Sequence, residues 1–360
     1  MEQFFCKTKL FSGSGSLQAL AGLHMHRLLI VADPYFFKNG TVNHIAHISG
    51  AEKVEIFHQI TPDPSVELAA KGTHMAQSFQ PDAILALGGG STMDCAKAIT
   101  YFYDAPVQLI AVPTTSGSGS EVTNFAILTH DGVKHPLVDE ALRPDVAILD
   151  SDLLSSLPAS LIADTGFDLI SHALEAWAAT GAGAVSDALA LGALQNALQF
   201  LPRSFAGDTD ARMPVHTAAT MAGMAFSAAG LGLCHAIAHA LGGAFHTPHG
   251  RLNAILLPAV VESNAETALH RYAKLARQLG LSTGADTIAL RALKNKLLQL
   301  RRELALPSTL AEVGITSDAL NKQMDTILEA TLADPCCRTN PKMPDAHLVR
   351  QILHRVMGHG

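Results

Sequence analysis

The stretch from 213 to 250 constrains the fold more than any other, because none of its 38 residues is Asp, Glu, Lys or Arg. Histidine, serine, threonine and glycine interrupt it and prolines lie near its ends, so it does not read as a membrane span. A charge-free segment of this kind is expected to be buried. Its imidazoles then need polar partners, since burying them without partners is costly. The stretch therefore predicts buried helices around a site that satisfies several histidines.

The spacing of the histidines suggests what that site binds. His235 and His239 are four residues apart and share one helix face, and His249 follows in a Thr-Pro-His-Gly turn. Asp168 and His172, further upstream, have the same spacing. A single histidine on an apolar helix face is more often a hydrogen-bonded core residue. One carboxylate and three imidazoles together favour a divalent metal site.

Length and composition limit the remaining possibilities. A chain of 360 residues is expected to form two domains. Its hydrophobic content of 48% and charged content of 16% predict a large core and buried subunit surface. A net charge of -7 gives no basic footprint for nucleic acid. The five cysteines form no C-x-x-C motif and no secretory signal peptide is evident, so we expect free thiols in a reducing cytoplasm.

The first 150 residues alternate between apolar runs and helical patterns, as in a parallel α/β sheet. A helix is expected over 65–79, with Ser65 as its N-cap. The predicted strands are 27–33, 54–57, 83–87, 109–112 and 146–150.

Two loops that follow predicted strands favour nucleotide binding. Gly88-Gly-Gly-Ser91 joins a strand to a helix, an arrangement that places backbone N–H groups and a positive helix end against a phosphate. It is not the G-x-G-x-x-G fingerprint, and a tight turn without a ligand is about as probable for this loop alone. The hydroxyl-rich loop at 113–123 also follows a strand. Asp33, at another strand end, suits either a ribose diol or a helix cap.

Strand patterns become rare after 151, and 151–158 is expected to be the boundary between an α/β domain at 1–156 and a helical domain at 157–360. The predicted helices are 159–179, 185–201, 213–228, 232–243, 251–264, 265–279, 285–303, 318–332 and 345–357.

Four motifs in this order resemble those of the iron-containing (group III) alcohol dehydrogenases over essentially the whole chain. They are GGGSTMD at 88–94, PTTSGSGSEVT at 113–123, TGFDLISHALEAW at 165–177 and HAIAHALGGAFHTPHG at 235–250. ITPDPS at 60–65, AGMAFSAAGLGL at 222–233 and RTNPK at 338–342 look like the 1-propanol dehydrogenase branch of propanediol-utilisation bacterial microcompartments.

The resemblance implies an α/β Rossmann-like N-terminal domain, an all-α C-terminal domain and an active site in the cleft between them. The metal would be Fe²⁺, with Zn²⁺ as the alternative, and its implied ligands are Asp168, His172, His235 and His249. His239 would transfer a proton without binding the metal. The implied contacts of NAD(H) are Asp33, Gly89, Gly90, Ser91, Asp94, Thr114, Thr115, Thr123 and Lys134.

Two positions lie outside this scheme. His246 matches no ligand of the family and is expected only to line the cleft. The family often has Cys-Thr before Asn-Pro, whereas this chain has Cys336-Cys-Arg-Thr-Asn-Pro341, so no role is predicted for Cys336 or Cys337.

The activity implied is an NAD(H)-linked, metal-dependent interconversion of short-chain primary alcohols and aldehydes, with propanal or acetaldehyde reduced to regenerate NAD⁺. One alternative is a glycerol-type polyol dehydrogenase, or a dehydroquinate-synthase-like zinc enzyme, on the same fold. The other is a non-catalytic microcompartment assembly protein. The expected assembly is a homodimer or larger homo-oligomer in the cytoplasm or inside a microcompartment, with an aldehyde dehydrogenase or shell protein as partner.

Overall fold

The computed structural model describes residues 4–130 and 133–358, and the chain divides into two compact units between Leu157 and Pro158. The first unit is an α/β domain and the second is helical. This is the fold class that the sequence predicts. The assignment of NAD(H) to the first domain and metal to the second stays a prediction at this point.

The strands of the first unit are β1 (Lys9–Ser12), β2 (Arg27–Ala32), β3 (Lys53–Phe57), β4 (Ala83–Gly88), β5 (Gln108–Pro113), β6 (Phe125–His130), β7 (Val133–Val138) and β8 (Val146–Leu149). Its helices are α1 (Pro34–Lys38), α2 (Thr41–Ser49), α3 (Val66–Phe79) and α4 (Gly90–Phe102).

Six of these strands form one parallel sheet in the order β1-β8-β5-β4-β2-β3. The chain adds β3 on one side of β2 and then returns to place β4 on the other side. Such a reversal of strand order leaves a crevice at the carboxyl ends of the strands, where open α/β sheets bind their ligands. The loops after β2 and β4 flank this crevice.

The central strands are buried on both faces, and their side chains alternate between two cores. Leu28 and Ile30 pack in the cluster that contains residues of α1 and α2, whereas Leu29 and Val31 pack with residues of α3 and α4. Ser65 accepts a hydrogen bond from the backbone N–H of Leu68 at 3.1 Å, so the predicted N-cap of α3 is confirmed.

Three strands, β1, β6 and β7, and two short α-helices, α1 and α2, were not predicted. β1 is a four-residue edge strand paired with β8, and β6 and β7 form a separate antiparallel hairpin. β1 and β7 have no apolar run longer than two residues, and the run in β6 is only four residues long, at 125–128. Their conformation depends on pairing with distant strands, which local periodicity does not show.

The helices of the second unit are α5 (Ala159–Ala178), α6 (Ala184–Phe205), α7 (Arg212–Ala229), α8 (Leu233–Phe245), α9 (His249–Gln278), α10 (Asp286–Glu303), α11 (Ser317–Ala333) and α12 (Ala346–Met357). They match the predicted helices closely, with one difference. α9 covers both predicted segments 251–264 and 265–279 and is kinked at Ala268, so the break lies later than predicted.

α5 forms the centre of the helical unit, because every residue from Gly166 to Ala178 is buried. A helix buried on all sides must be covered by several neighbours, and α6, α7 and α9 pack against it. Among the described residues, no single helix is long and apolar enough to cross a membrane. The pair 209–229 and 233–245 meets that test together, with a bend of 105°.

Candidate metal centre and cofactor loops

The four predicted metal ligands lie on α5, α8 and α9. The three imidazoles among them converge on the carboxylate of the fourth, Asp168. Its Oδ1 atom is 3.9 Å from His172 Nε2, 3.7 Å from His235 Nε2 and 3.5 Å from His249 Nε2. Oxygen and nitrogen ligands about 2.1 Å from a tetrahedral ion are roughly 3.4 Å apart. The ligand atoms of Asp168, His172 and His235 lie within 4.8 Å of one another and fit a divalent metal ion in chemistry and spacing, and His249 reaches the same carboxylate oxygen.

Local structure explains how three helices bring these groups together. Asp168 and His172 are one turn apart on α5, His235 lies in the first turn of α8, and His249 is the first residue of α9. α9 approaches α5 very closely here. A Cβ atom on Gly250 would lie 1.9 Å from the backbone oxygen of Asp164, so only glycine fits at this position.

The electrostatics of the centre favour a bound cation. Burial alone would favour the neutral acid, but the imidazoles of His172, His249 and His235 lower the pKa of Asp168 far below its usual range. Burial opposes protonation of His235, yet the neighbouring carboxylates of Asp168 and Glu175 outweigh it and raise the pKa of His235 to about 9. A site that holds its carboxylate ionised and favours positive charge on a buried imidazole also suits a metal ion.

Glu175 is a second buried carboxylate at the centre and was not predicted from the sequence. It lies one turn beyond His172 on α5, and its Oε2 atom is 2.5 Å from His235 Nδ1. The same carboxylate accepts backbone N–H groups from the start of α8. It therefore contacts the ring nitrogen of His235 that does not face Asp168.

Asn253 is a further residue that the sequence analysis missed. It is fully buried on α9, one turn after His249, and its Nδ2 atom donates to Asp168 Oδ1 at 2.8 Å. The same atom is 3.1 Å from His249 Nε2 and 3.4 Å from His235 Nε2. The amide thus contacts three of the four candidate ligand atoms.

His239 lies beside the centre with a carboxylate partner of its own. Its ring stacks on that of His249 with centroids 5.1 Å apart, and its Nδ1 atom is 2.8 Å from Asp334 Oδ2. Although burial opposes ionisation, the hydrogen bond from His239 lowers the pKa of Asp334 to about 2. An ionised Asp334 fixes the Nδ1 side of the ring, so Nε2 is the atom through which His239 can exchange a proton.

In the first unit, several predicted cofactor residues meet at the carboxyl ends of adjacent strands. The N–H of Asp33, after β2, donates to the oxygen of Leu87 in β4, and the N–H of Thr114, after β5, donates to Gly88. A Cβ atom on Gly89 would lie 3.1 Å from Thr115 Oγ1, so the two loops are in close contact.

The short loop after β4 leads directly into α4, whose first residues are Gly90 and Ser91. Asp33 also caps α1, since its Oδ1 atom accepts the N–H of Tyr35 at 2.8 Å. Backbone N–H groups of a glycine turn and a helix start, next to an acid at a neighbouring strand end, are the arrangement that binds a dinucleotide pyrophosphate and ribose.

Asp94, Thr123 and Lys134 make contacts within the protein. Asp94 accepts hydrogen bonds from Ser120 Oγ at 3.0 Å and from the N–H of residue 127 at 3.2 Å, and burial raises its pKa. The fully buried Thr123 accepts a hydrogen bond from Lys97 Nζ at 3.0 Å. Lys134 Nζ forms an ion pair with Asp63 Oδ1 at 2.7 Å. These contacts hold the hydroxyl-rich loop and the β6–β7 hairpin in place, and contact of these residues with a cofactor stays a prediction.

His246 adopts a left-handed conformation, with φ 53°, as the residue that ends α8. It lines a cavity of about 810 Å³ in the helical unit together with Phe245, Arg251 and Leu304. Arg251 forms a two-point ion pair with Asp164 in the wall of this cavity. His246 is thus next to a cavity rather than among the converging ligand atoms.

Helical periodicity in the sequence points to two of the residues that the sequence analysis missed. Glu175 is seven residues after Asp168 and three after His172, so a helix places all three on one face. Asn253 is four residues after His249 and therefore lies on the same side of α9. No local pattern connects Asp334 to His239, because the two are 95 positions apart.

Comparison with known proteins identifies the family. A profile described as iron-containing alcohol dehydrogenase matches residues 7–151, and one described as the C-terminal part of the Fe-containing alcohol dehydrogenase family matches 162–357. A 1-propanol dehydrogenase of Citrobacter freundii is 40% identical, over 99% of this chain and 100% of its own length. The chain belongs to the iron-containing alcohol dehydrogenase family.

Other relatives agree with this assignment. An NADPH-dependent butanol dehydrogenase of Clostridium saccharobutylicum is 36% identical over 99% of this chain and 98% of its own. The structure of an iron-containing alcohol dehydrogenase from Thermococcus thioreducens aligns with a TM-score of 0.92 and 34% identity, covering 98% of this chain and 99% of that chain. This enzyme is accordingly an alcohol dehydrogenase, and the names of its relatives leave its substrate and its preferred cofactor open.

Proposed function

We propose that the enzyme interconverts short-chain primary alcohols and aldehydes with NAD(H), reducing propanal or acetaldehyde to regenerate NAD⁺. The observation that carries the proposal is the convergence of three imidazole Nε2 atoms, 3.5–3.9 Å away, on Asp168 Oδ1. Asp168, His172, His235 and His249 would hold the ion, with iron preferred from the family and zinc accepted by the same donor set. The 1-propanol dehydrogenase relative supports a three-carbon substrate.

When bound, the metal supplies Lewis acidity toward the substrate oxygen and the nicotinamide supplies the hydride. The protein's own residues supply the proton and the electrostatic setting. Because Asp334 engages Nδ1 of His239 at 2.8 Å, the other ring nitrogen, Nε2, is the atom that would take up or release a proton. In the reducing direction this proton passes to the product oxygen, and in the oxidising direction His239 accepts it.

The cofactor would lie at the switch point of the sheet, where Gly89, Gly90 and Ser91 begin α4 and Thr114 and Thr115 follow β5. The side chain of Asp33 suits the ribose diol of NADH, since a carboxylate at this strand end accepts hydrogen bonds from the diol and repels a 2′-phosphate. We therefore propose a preference for NADH, in contrast to the NADPH dependence in the name of the butanol dehydrogenase relative.

NADH oxidation with propanal tests the proposal. The protein is stripped of metal, assayed, and assayed again after anaerobic addition of Fe²⁺ or of Zn²⁺. Activity should return with metal in the parent and in His246→Asn, whose histidine lines the cavity outside the ligand set. It should stay absent in His249→Ala, which also should lose tight metal binding. Full activity of metal-free His249→Ala would disprove the metal centre.

A substrate panel separates this proposal from the polyol alternative. A solved structure named 1,3-propanediol oxidoreductase is 28% identical, with a TM-score of 0.92 over 99% of this chain and 100% of that chain. Turnover of 1,3-propanediol or glycerol well above that of 1-propanol would show that the substrate is a diol or polyol and not an alcohol with a single hydroxyl group. No turnover of any of these, by folded protein that binds NADH and metal, would favour the lyase alternative.

Assembly and location are part of the same proposal. The charged content of only 16% supports a homodimer or larger homo-oligomer, which sedimentation would show. Similarity to 1-propanol dehydrogenases over their whole length supports a cytoplasmic enzyme that associates with a propanediol-utilisation microcompartment. Absence of the enzyme from purified microcompartments that contain their aldehyde dehydrogenase would contradict this location.

A further inference from the structure

The side of the metal centre away from the proposed ion contains a buried carboxylate that is outside the ligand set. Glu175 is on α5 and its side chain is about 5% exposed. Its Oε2 atom contacts His235 Nδ1 at 2.5 Å, while His235 Nε2 faces Asp168 Oδ1 at 3.7 Å. The imidazole therefore lies between two carboxylates, one at each ring nitrogen.

The same carboxylate also fixes the start of α8. Glu175 Oε2 accepts the backbone N–H of Gly232 at 3.0 Å, and Oε1 accepts that of Cys234 at 2.7 Å. A Cβ atom on Gly232 would lie 2.8 Å from Oε1, so the backbone can come this close only because residue 232 is glycine. Glu175 thus satisfies N–H groups that a helix start leaves without intrahelical partners.

An ionised carboxylate can only accept hydrogen bonds. The contact between Glu175 Oε2 and His235 therefore requires that Nδ1 of His235 carry the proton. In the neutral ring that metal binding requires, the Nε2 atom then keeps its lone pair, which points to the side of Asp168. We infer that Glu175 is a positioning residue that sets the tautomer and ring orientation of His235 for metal binding. The inference rests on the proposed function, since it concerns the same metal centre.

An isosteric change tests the role of the charge. In Glu175→Gln, an amide N–H that faces Nδ1 would move the imidazole proton to Nε2 and remove the metal-binding lone pair. Turning the amide over would instead place its NH₂ group against a backbone N–H of α8. Loss of such an outer carboxylate typically weakens metal binding about 10–100-fold.

Asn340 provides the matched control, because it caps the same helix by a different route. Its Oδ1 atom accepts the N–H of Leu233 at 3.0 Å and a hydrogen bond from Asn264. Asn340→Ala therefore disturbs the start of α8 while Glu175 and its contact with the His235 ring remain. The pair of variants separates loss of the cap from loss of the imidazole contact.

The experiment is a Co²⁺ titration of the metal-free full-length protein, followed through the visible absorption of the ion and checked by competition with a chelator. Thermal unfolding of each metal-free variant is measured in parallel. Glu175→Gln should bind Co²⁺ about 10–100-fold more weakly than the parent and with an altered spectrum. Asn340→Ala should lower the unfolding temperature and keep the affinity and spectrum of the parent.

Two results would overturn the inference. One is a parental affinity and spectrum in Glu175→Gln, and the other is an equal weakening in Asn340→Ala, which would assign the effect to the helix start. Failure of the proposed function looks different. If the parent and His249→Ala bind Co²⁺ alike, the metal centre itself is wrong, whatever the result for Glu175.

Discussion

Replacing Gly250 with alanine should damage the metal centre far more than the fold. A Cβ atom at this position would lie 1.9 Å from the backbone oxygen of Asp164, and relief to an ordinary contact of 3.4 Å requires a shift of about 1.5 Å between α9 and α5. His249 is the neighbouring residue on α9, and Asp168 is one turn further along α5. Metal–ligand distances tolerate changes of about 0.2 Å, so the shift is several times too large for the two ligands to share an ion.

The expected cost in stability is smaller. Overpacking of this kind costs about 1–3 kcal/mol, and the better helix propensity of alanine offsets about 0.5–1 kcal/mol. We therefore expect the metal-free variant to lose about 1–2 kcal/mol in the free energy of unfolding. Metal affinity should fall by about 100-fold or more, beyond the usual effect of a lost supporting residue.

Gly192→Ala is the control, because it makes the same substitution inside α6. Its new Cβ atom would meet Met221 Cε at 2.4 Å, which is the far end of a flexible side chain. Zn²⁺ titration with a competing chelator, together with thermal unfolding of the metal-free proteins, gives both quantities. Parental Zn²⁺ affinity in Gly250→Ala would show that the contact between α9 and α5 does not set the position of His249.

Three further changes test other parts of the structure. Asp33→Ser keeps a helix-capping oxygen and removes the charge, so the KM for NADPH should fall by about tenfold or more relative to that for NADH, and an unchanged ratio would contradict the role of Asp33. Burial lowers the pKa of Lys97 to about 8 despite nearby acids, so the folded protein binds this proton more weakly than the unfolded chain does. As pH rises from 8 to 10.5, the free energy of unfolding of the parent, measured with urea, should increase by about 2–3 kcal/mol relative to that of Lys97→Met. If the free energies of unfolding of the two proteins changed with pH in parallel, the lowered pKa of the buried amine would be refuted. Burial also raises the pKa of Cys95 and of Cys337 to about 12, so native protein at pH 8 should react with iodoacetamide at the partly exposed Cys6 well before these two, as peptide mass spectrometry can show.

The sequence predicted the features that depend on short-range order. The i, i+4 spacing of Asp168 and His172 and the position of His235 on a helix needed only helical periodicity, because residues four apart on a helix share a face. The strand–glycine–helix order at Gly88 to Ser91 likewise placed the predicted cofactor loops at strand ends. For these reasons the fold class and most helix boundaries agree with the structure.

Tertiary structure decided what depends on residues that are distant in the chain. Asp334 contacts His239 from 95 positions away, and Asn340 caps α8 from 107 positions away. The edge strand β1 is extended because β8 pairs with it, and the sequence of neither shows the other. The sequence therefore determined which side chains share a helix face. Only the packed fold determined which carboxylate reaches each imidazole, because that depends on contacts between elements that local preference does not encode.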